Sequence, residues 1–351
     1  MIDRDDLRAA TAAGILTEPQ AASLIALADR RRGARAEADR GDEAFELFRG
    51  FNEIFIVVGL VILFTGWTGV IRLLFGLGST GNLAGGLLGA ALVWLLSRYF
   101  VERRRMVAPA IALSVMFALN AFLTFGLAFA EPFMVAQRDY ASLPWPAVLT
   151  TLAVLLYWVR FRVPFALAIV AVCLFGIAIL LAAIARGTPA TFSEMFQLSA
   201  DGPFAWVTLL LGLVVFAVAM RFDMSDPHRV TRRAANGFWL HVVAAPALVN
   251  TLALSLLDRG GLTNLLLLAI LALIAVVAVI IDRRSFLIAA IGYILLLTGT
   301  LFGWSGSAFL VMIFGAALLL LGAFWDRIRA VLIAPLPDGL RRRLPPSGPH
   351  G

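Results

Sequence analysis

The sequence predicts an all-α integral membrane protein of about ten transmembrane helices, N-in and C-in, preceded by a short soluble helical hairpin. Three observations carry that prediction. Hydrophobic residues make up 61% of the 351 and mean hydropathy is +0.91, whereas a soluble domain is usually about 45–50% apolar. Charged residues are only 15% and gather before residue 53, after residue 325 and in short runs between apolar stretches. About ten of those stretches approach the roughly 20 residues that cross a bilayer core about 30 Å thick.

The net charge of +7 does not indicate nucleic acid as a partner. All 29 basic residues are arginine, a bias that fits a GC-rich coding composition, and they sit at helix ends where the positive-inside rule puts them. The partner this composition implies is the lipid bilayer. Cys173 is the sole cysteine, so no intramolecular disulfide forms, and its apolar surroundings suggest a buried structural thiol. The first 50 residues are charged, so no cleavable signal peptide is expected, and the first span serves as an uncleaved insertion signal.

The chain divides into residues 1–42, a cytoplasmic helix pair with a charged linker; 43–325, the transmembrane bundle; and 326–351, a basic, proline-rich cytoplasmic tail. In the first part Gly14 breaks an opening helix. Thr17 then starts a second one as a capping box, TEPQ, with Gln20 at the third helical position. Residues 3–32 read either as a small cytoplasmic hairpin with no separate job or as a docking or regulatory element for a cytoplasmic protein partner. Phe45, Phe48 and Phe51, three apart, describe an interfacial helix leading into the first span.

The ten spans are expected near 53–75, 81–99, 106–130, 143–160, 164–185, 203–221, 237–257, 262–281, 285–302 and 304–325. Alternate connections are rich in arginine: Arg98 and Arg103–Arg105, then Arg160 and Arg162, then Arg221, Arg229, Arg232 and Arg233, then Arg283 and Arg284. That alternation predicts a bacterial cytoplasmic (inner) membrane protein with both termini in the cytoplasm. Gly81, Gly85 and Gly89 form a small-xxx-small ridge for close helix approach. The outer loop 186–202 is expected to hold an interfacial helix with Phe192, Met195 and Phe196 towards lipid, and the tail from Pro335 to be disordered. The hairpins WVRFRVPFALAI and IIDRRSFLIAAI align Phe165 with Phe286, too weak a match to indicate an internal repeat.

Polar groups inside a bilayer are costly and often functional. The candidates for intramembrane polar contacts are Asn120, Thr124, His241, Pro246 and Asn250. Asn120 lies 14 residues into the third span and Asn250 13 into the seventh, roughly 20 Å deep at 1.5 Å per residue. The two amides are therefore expected to meet, as interhelical glue or as the wall of a polar pocket. Thr124 and Pro246 share a face with Asn120 and Asn250 respectively. Pro246 also frees the carbonyl of Val242 from its helical partner. His241 lies nine residues from Asn250, roughly on the opposite face, and reads as a hydrogen-bonded histidine near the cytoplasmic interface. Glu53 reads as a solvated cap at the water boundary.

No catalytic, cofactor-binding or metal-ligating set is expected. His241 has no second His or Cys at ligand spacing. Neither paired intramembrane aspartates nor HExxH is present, and the GWSGS run at 303–307 sits in an outer turn without a histidine at its depth. No span carries a carboxylate near its centre, which weighs against an ion-coupled pump.

Two stretches, LRAATAAGILTEPQAASLIALADRR and DPHRVTRRAANGFWLHVVAAPALVN, resemble a family of uncharacterised bacterial membrane proteins. In that family a cytoplasmic helix pair precedes a bundle of eight to twelve spans. The resemblance implies a location and an architecture, and no activity. The expected role is a non-catalytic membrane scaffold or sensor. The alternative is a small-molecule or lipid transporter or exporter with a polar pocket between the third and seventh spans, an analogy from the ten-span plan of drug and metabolite exporters.

Overall fold

The computed structural model of the chain describes residues 10–11, 13–17, 20, 24, 27, 52–75, 79–131, 134–137, 139–189, 191–198, 203–227, 231–256, 261–283, 286 and 308–345. Eight helices among them are long and apolar enough to cross a membrane, so the chain is an all-α, multi-pass membrane protein. They are α1 (Asn52–Phe75), α2 (Ser79–Ser97), α3 (Val107–Phe129), α4 (Pro144–Phe161), α5 (Pro164–Arg186), α6 (Phe204–Ser225), α7 (Arg232–Leu256) and α8 (Gly261–Ile280). Two more follow: α9 (Ala308–Ala323) and α10 (Trp325–Ile333).

The eight long helices coincide with the first eight expected spans. The ninth, 285–302, lies outside the described residues except for the helical Phe286. In the tenth, α9 has 16 residues, then the chain turns at Phe324 into α10. The indole of Trp325 donates to Asp282 Oδ1 at 3.0 Å, and Arg329 Nη2 donates to the Ile280 carbonyl. Both contacts tie α10 to the end of α8. The tail differs from the disordered segment expected of it: residues 338–341 form a helical turn, and the chain returns so that the Pro345 carbonyl accepts from Arg329.

Most of the helix pair at 3–32 and all of Phe45, Phe48 and Phe51 lie outside the described residues. The two local features that are described match the sequence. Gly14 sits at φ +71°, and the amide of Ile15 returns to the Ala10 carbonyl at 2.9 Å, a left-handed helix stop. The amide of Thr17 donates to Gln20 Oε1 at 3.0 Å, the reciprocal half of a capping box.

Two cores meet along α5. Around one, Trp94, Phe117, Tyr157 and Phe161 of α2, α3 and α4 pack with ring centroids as close as 4.8 Å. The other is built from α6, α7 and α8, with Leu240, Val249, Leu267 and Leu271 buried and Ala171 reaching in from α5. Helix α7 is the centre of the bundle: 56% of its membrane-length window is buried, against 6% for the peripheral α1.

Tight turns on the arginine-bearing end share one device. Arg105, Arg162 and Asp282 adopt left-handed conformations, φ +52°, +51° and +56°. After Arg105 and Arg162 one extended residue, Met106 or Val163, opens the next helix. Arg162 and Asp282 stand one residue out of register with the Phe165–Phe286 sequence match. Turn geometry thus repeats where the sequence barely does.

The glycine ridge of α2 packs as expected, against two partners. A Cβ at Gly85 would collide with Ile71 of α1, and one at Gly89 would collide with Asn120 of α3. Gly86, outside the i, i+4 pattern of the ridge, faces Thr124. The connection between α5 and α6 holds a short 3-10 turn, Phe192–Met195. It lies against the ends of α6 and α7 rather than open to lipid, because Ser255 Oγ donates to the Phe196 carbonyl and accepts from the Leu198 amide, and Thr208 donates to the Met195 carbonyl. Met195 and Phe196 are half-buried there.

Candidate functional site

The polar centre of the bundle is assembled from the ends of two helices and the interior of a third. Asp223 is two residues from the end of α6, His241 lies on α7, and Arg283 closely follows α8. Their side chains are buried, with residue exposures of 6%, 0% and 5%. Arg283 Nε donates to Asp223 Oδ2 at 2.9 Å, and its Nη2 donates to Asp223 Oδ1 and to the Ala234 carbonyl. His241 Nε2 lies 2.9 Å from Asp223 Oδ2. An ionised carboxylate only accepts, so the imidazole proton there sits on Nε2.

The surroundings fix this group. The rings of Phe216 and Phe286 stand edge-on to His241 at 5.4 and 5.6 Å, and the Arg283 guanidinium lies 6.0 Å from the Phe238 ring. Gly237 makes the approach of α6 to α7 feasible: a Cβ there would overlap Asp223 Oδ1 and lie 3.2 Å from the Ala219 carbonyl. The helices run on through their charged residues. Helix α6 continues four residues past the expected end at 221, and α7 starts five before the expected 237. The expected loop 222–235 shrinks to 226–231, where Asp226 Oδ2 accepts from the amide and the hydroxyl of Thr231 at 2.8 Å each.

This geometry corrects the reading of His241. It is hydrogen-bonded, as expected, but fully buried and part of an ionic network with Asp223 and Arg283, neither of which the sequence alone singles out. A signal is present. Gly237 lies one turn from His241, on the face that a polar group of a neighbouring helix must approach, and Asp223 ends the preceding span. Chemically, a carboxylate shared by a guanidinium and an imidazole is a lock between three helices. It is unsuited to a metal ion, because Arg283 occupies the position a cation would take. Among the described residues, no three His, Cys, Asp or Glu side chains converge as a metal site.

The asparagines are not built as one site. Asn120 Nδ2 donates to the Gly86 carbonyl of α2 at 2.8 Å, and the Thr124 hydroxyl donates back to the Asn120 carbonyl at 2.6 Å. Helix α3 packs chiefly on α2, α4 and α1, while α7 packs chiefly on α6, α5 and α8. Pro246 is exposed and Asn250, one turn on, is half-buried, so their face turns outward. Counted from the helix starts, Asn120 lies 13 residues into α3 and Asn250 18 into α7, and helix rotation and neighbour choice, which depth does not specify, separate their partners.

Glu53 caps a helix end, but not in water. It is 2% exposed, and its Oε2 accepts from the Ala108 amide in the first turn of α3 at 2.9 Å. An anion at a helix N-terminus satisfies donors the helix itself leaves open. Cys173 also differs from expectation: it is half-buried and faces a cavity.

That cavity, about 1040 Å³, lies between α3, α4 and α5, towards the end opposite the arginine-bearing turns. Its walls are apolar, with Phe122, Leu127, Ile177 and Leu180 among them, and Gly126 and Gly176 leave room at the centre. None of the residues that line it belongs to α7, so it is not the polar pocket expected between the third and seventh spans. Compared with family models, with curated proteins and with solved structures, the chain matches none of them.

Proposed function

We propose that the protein is a non-catalytic, lipid-handling membrane protein whose cavity between α3, α4 and α5 receives a hydrocarbon chain. The observation that carries this reading is the cavity: about 1040 Å³, apolar, and lined by three helices of membrane length, with an open side where Phe122 and Leu127 are exposed. Small-molecule sites are typically about 300–1,000 Å³, and an apolar one inside a bilayer meets hydrocarbon as its solvent. The arginine-bearing turns favour a bacterial cytoplasmic membrane with those turns and both termini inside. In that orientation the cavity belongs to the outer leaflet. Ten spans, with the ninth and tenth completing the alternation, belong to the same proposal, as does the resemblance to bacterial membrane proteins with a cytoplasmic helix pair.

A scaffold or sensor is the second reading, favoured by the Asp223–His241–Arg283 lock. It joins the end of α6, the interior of α7 and the residues after α8, towards the side where residues 3–32 would meet a cytoplasmic protein.

Native mass spectrometry of the full-length protein released from nanodiscs separates the two. Lipid handling predicts retained lipid in wild type and its loss in Gly176→Phe, a position where a Cβ meets nothing within 4 Å. Equal lipid content in both proteins would count against the cavity and leave the scaffold reading.

A further inference from the structure

The lining of the cavity also bears on which lipid it takes, an inference that rests on the lipid-handling reading. Glu131 follows α3 at the mouth and is the one charged residue in the lining among those described. It is exposed, and the ion pairs among the described residues do not include it. Its amide is fixed by Ser142 Oγ at 3.1 Å, which joins the end of α3 to the start of α4.

From Ala130 the lining runs inward along α3 to Phe122, roughly 12 Å at 1.5 Å per residue. Cys173, at the inner limit on α5, lies 13 residues before Arg186, roughly 20 Å from that helix end. One leaflet of hydrocarbon is about 15 Å deep. A carboxylate above an open apolar groove about one leaflet deep complements a lipid whose head carries a cation.

We infer that the cavity between α3, α4 and α5 binds a lipid with a protonated amine headgroup, its chain between Phe122 and Cys173 and its ammonium on Glu131. An ammonium presents N–H donors to the carboxylate as well as charge. An anionic head would meet repulsion at the same place, and a trimethylated one would have no N–H to donate.

The test uses the full chain in nanodiscs of equimolar phosphatidylethanolamine, phosphatidylcholine and phosphatidylglycerol, with retained lipid read by native mass spectrometry. The expected result is an enrichment of phosphatidylethanolamine over phosphatidylglycerol of about threefold, the scale of one exposed ion pair. Glu131→Gln should erase the preference without lowering total lipid, and Glu131→Lys should reverse it towards phosphatidylglycerol. Equal retention of the three lipids by wild type, or a preference that survives Glu131→Gln, overturns the headgroup assignment while the cavity reading stands. If Gly176→Phe leaves total lipid unchanged, the cavity reading falls as well.

Discussion

Replacing Gly237 by alanine tests whether the Asp223–His241–Arg283 group is held as tightly as its geometry indicates. Helix propensity alone predicts a gain, since alanine is favoured over glycine by about 1 kcal/mol inside a helix. The contacts predict the opposite. A Cβ at Gly237 would overlap Asp223 Oδ1 and press on the Ala219 carbonyl at 3.2 Å. A carboxylate oxygen ordinarily swings aside at little cost. This one accepts from Arg283 while its other oxygen engages Arg283 Nε and His241 Nε2, each at 2.9 Å.

Two responses remain, and both are unfavourable. Helices α6 and α7 can separate, an overpacking cost of about 1–3 kcal/mol, or Asp223 can rotate and leave Arg283 buried without its carboxylate, about 3–5 kcal/mol. Set against the propensity gain, helix separation leaves a net loss of about 0–2 kcal/mol and a lost Arg283 pairing one of about 2–4 kcal/mol. Asp223→Asn, which removes the charge but keeps the shape, should lose a comparable amount. Thermal melting of the full chain in mild detergent, followed by size-exclusion recovery, reads both variants. A Gly237→Ala protein stabilised by the full propensity gain of about 1 kcal/mol would refute the tight packing of α6 on α7 at this point.

Glu53→Gln should be close to neutral in the same assay, because an amide oxygen can still accept from Ala108, whereas Glu53→Ala should cost about 1 kcal/mol as a lost cap. Tyr157→Phe should cost about 0.5–1.5 kcal/mol by removing its bond to Ser97; Ser97 Oγ also donates to the Val93 carbonyl at 2.7 Å, so no buried hydroxyl is stranded and a loss several times larger would contradict the pairing. Asn120→Ala should cost about 0.6–2 kcal/mol and Asn250→Ala less, with the double variant additive; strong non-additivity would show that the amides share a bond after all. Reporter fusions should place 101–105, 226–231 and 282–284 in the cytoplasm with 139–143 and 187–191 outside, and an external signal from 226–231 would undo the proposed orientation.

Much of the bundle is legible in the sequence because the bilayer imposes a length on each helix. Helices α1 to α5 and α8 begin and end within two residues of the apolar stretches that announce them, and the capping box at Thr17 is equally local. The same rule fails at α6 and α7 for a definite reason. Ending a span at its first charged residue turns Arg221 and Arg232–Arg233 into loop. Charge ends a helix only when it must reach water. Asp223 need not, because its neutralising partner Arg283 arrives 60 residues later in the chain, and no local pattern encodes a partner at that distance. Depth along a helix is similarly local, which is why it equates Asn120 with Asn250 and says nothing about the faces they occupy.

The two ends of the bundle divide rigidity from accommodation. At the arginine-bearing end, Glu53 joins α1 to α3, Arg160 pairs with Glu102 between α4 and the end of α2, Arg232 reaches the Phe161 carbonyl, and the Asp223 group joins α6, α7 and α8. Each of these bonds spans helices far apart in sequence, so moving one helix there disturbs several ion or cap interactions together. Towards the opposite end α3, α4 and α5 diverge around the cavity, where Gly126 and Gly176 leave space that no side chain fills. Wall atoms facing such a gap have no dispersion partner until a guest supplies one. A bundle clamped at one end can open and close a gap at the other while its helices stay in register, so ligand occupancy between α3, α4 and α5 should change helix spacing at the cavity and leave the Asp223–Arg283 pair intact. Distances between spin labels placed at the cavity ends of α3 and α5, measured with and without lipid, should therefore shift, while labels at 104 and 163 should not; equal shifts at both ends would show that the polar group is not a clamp.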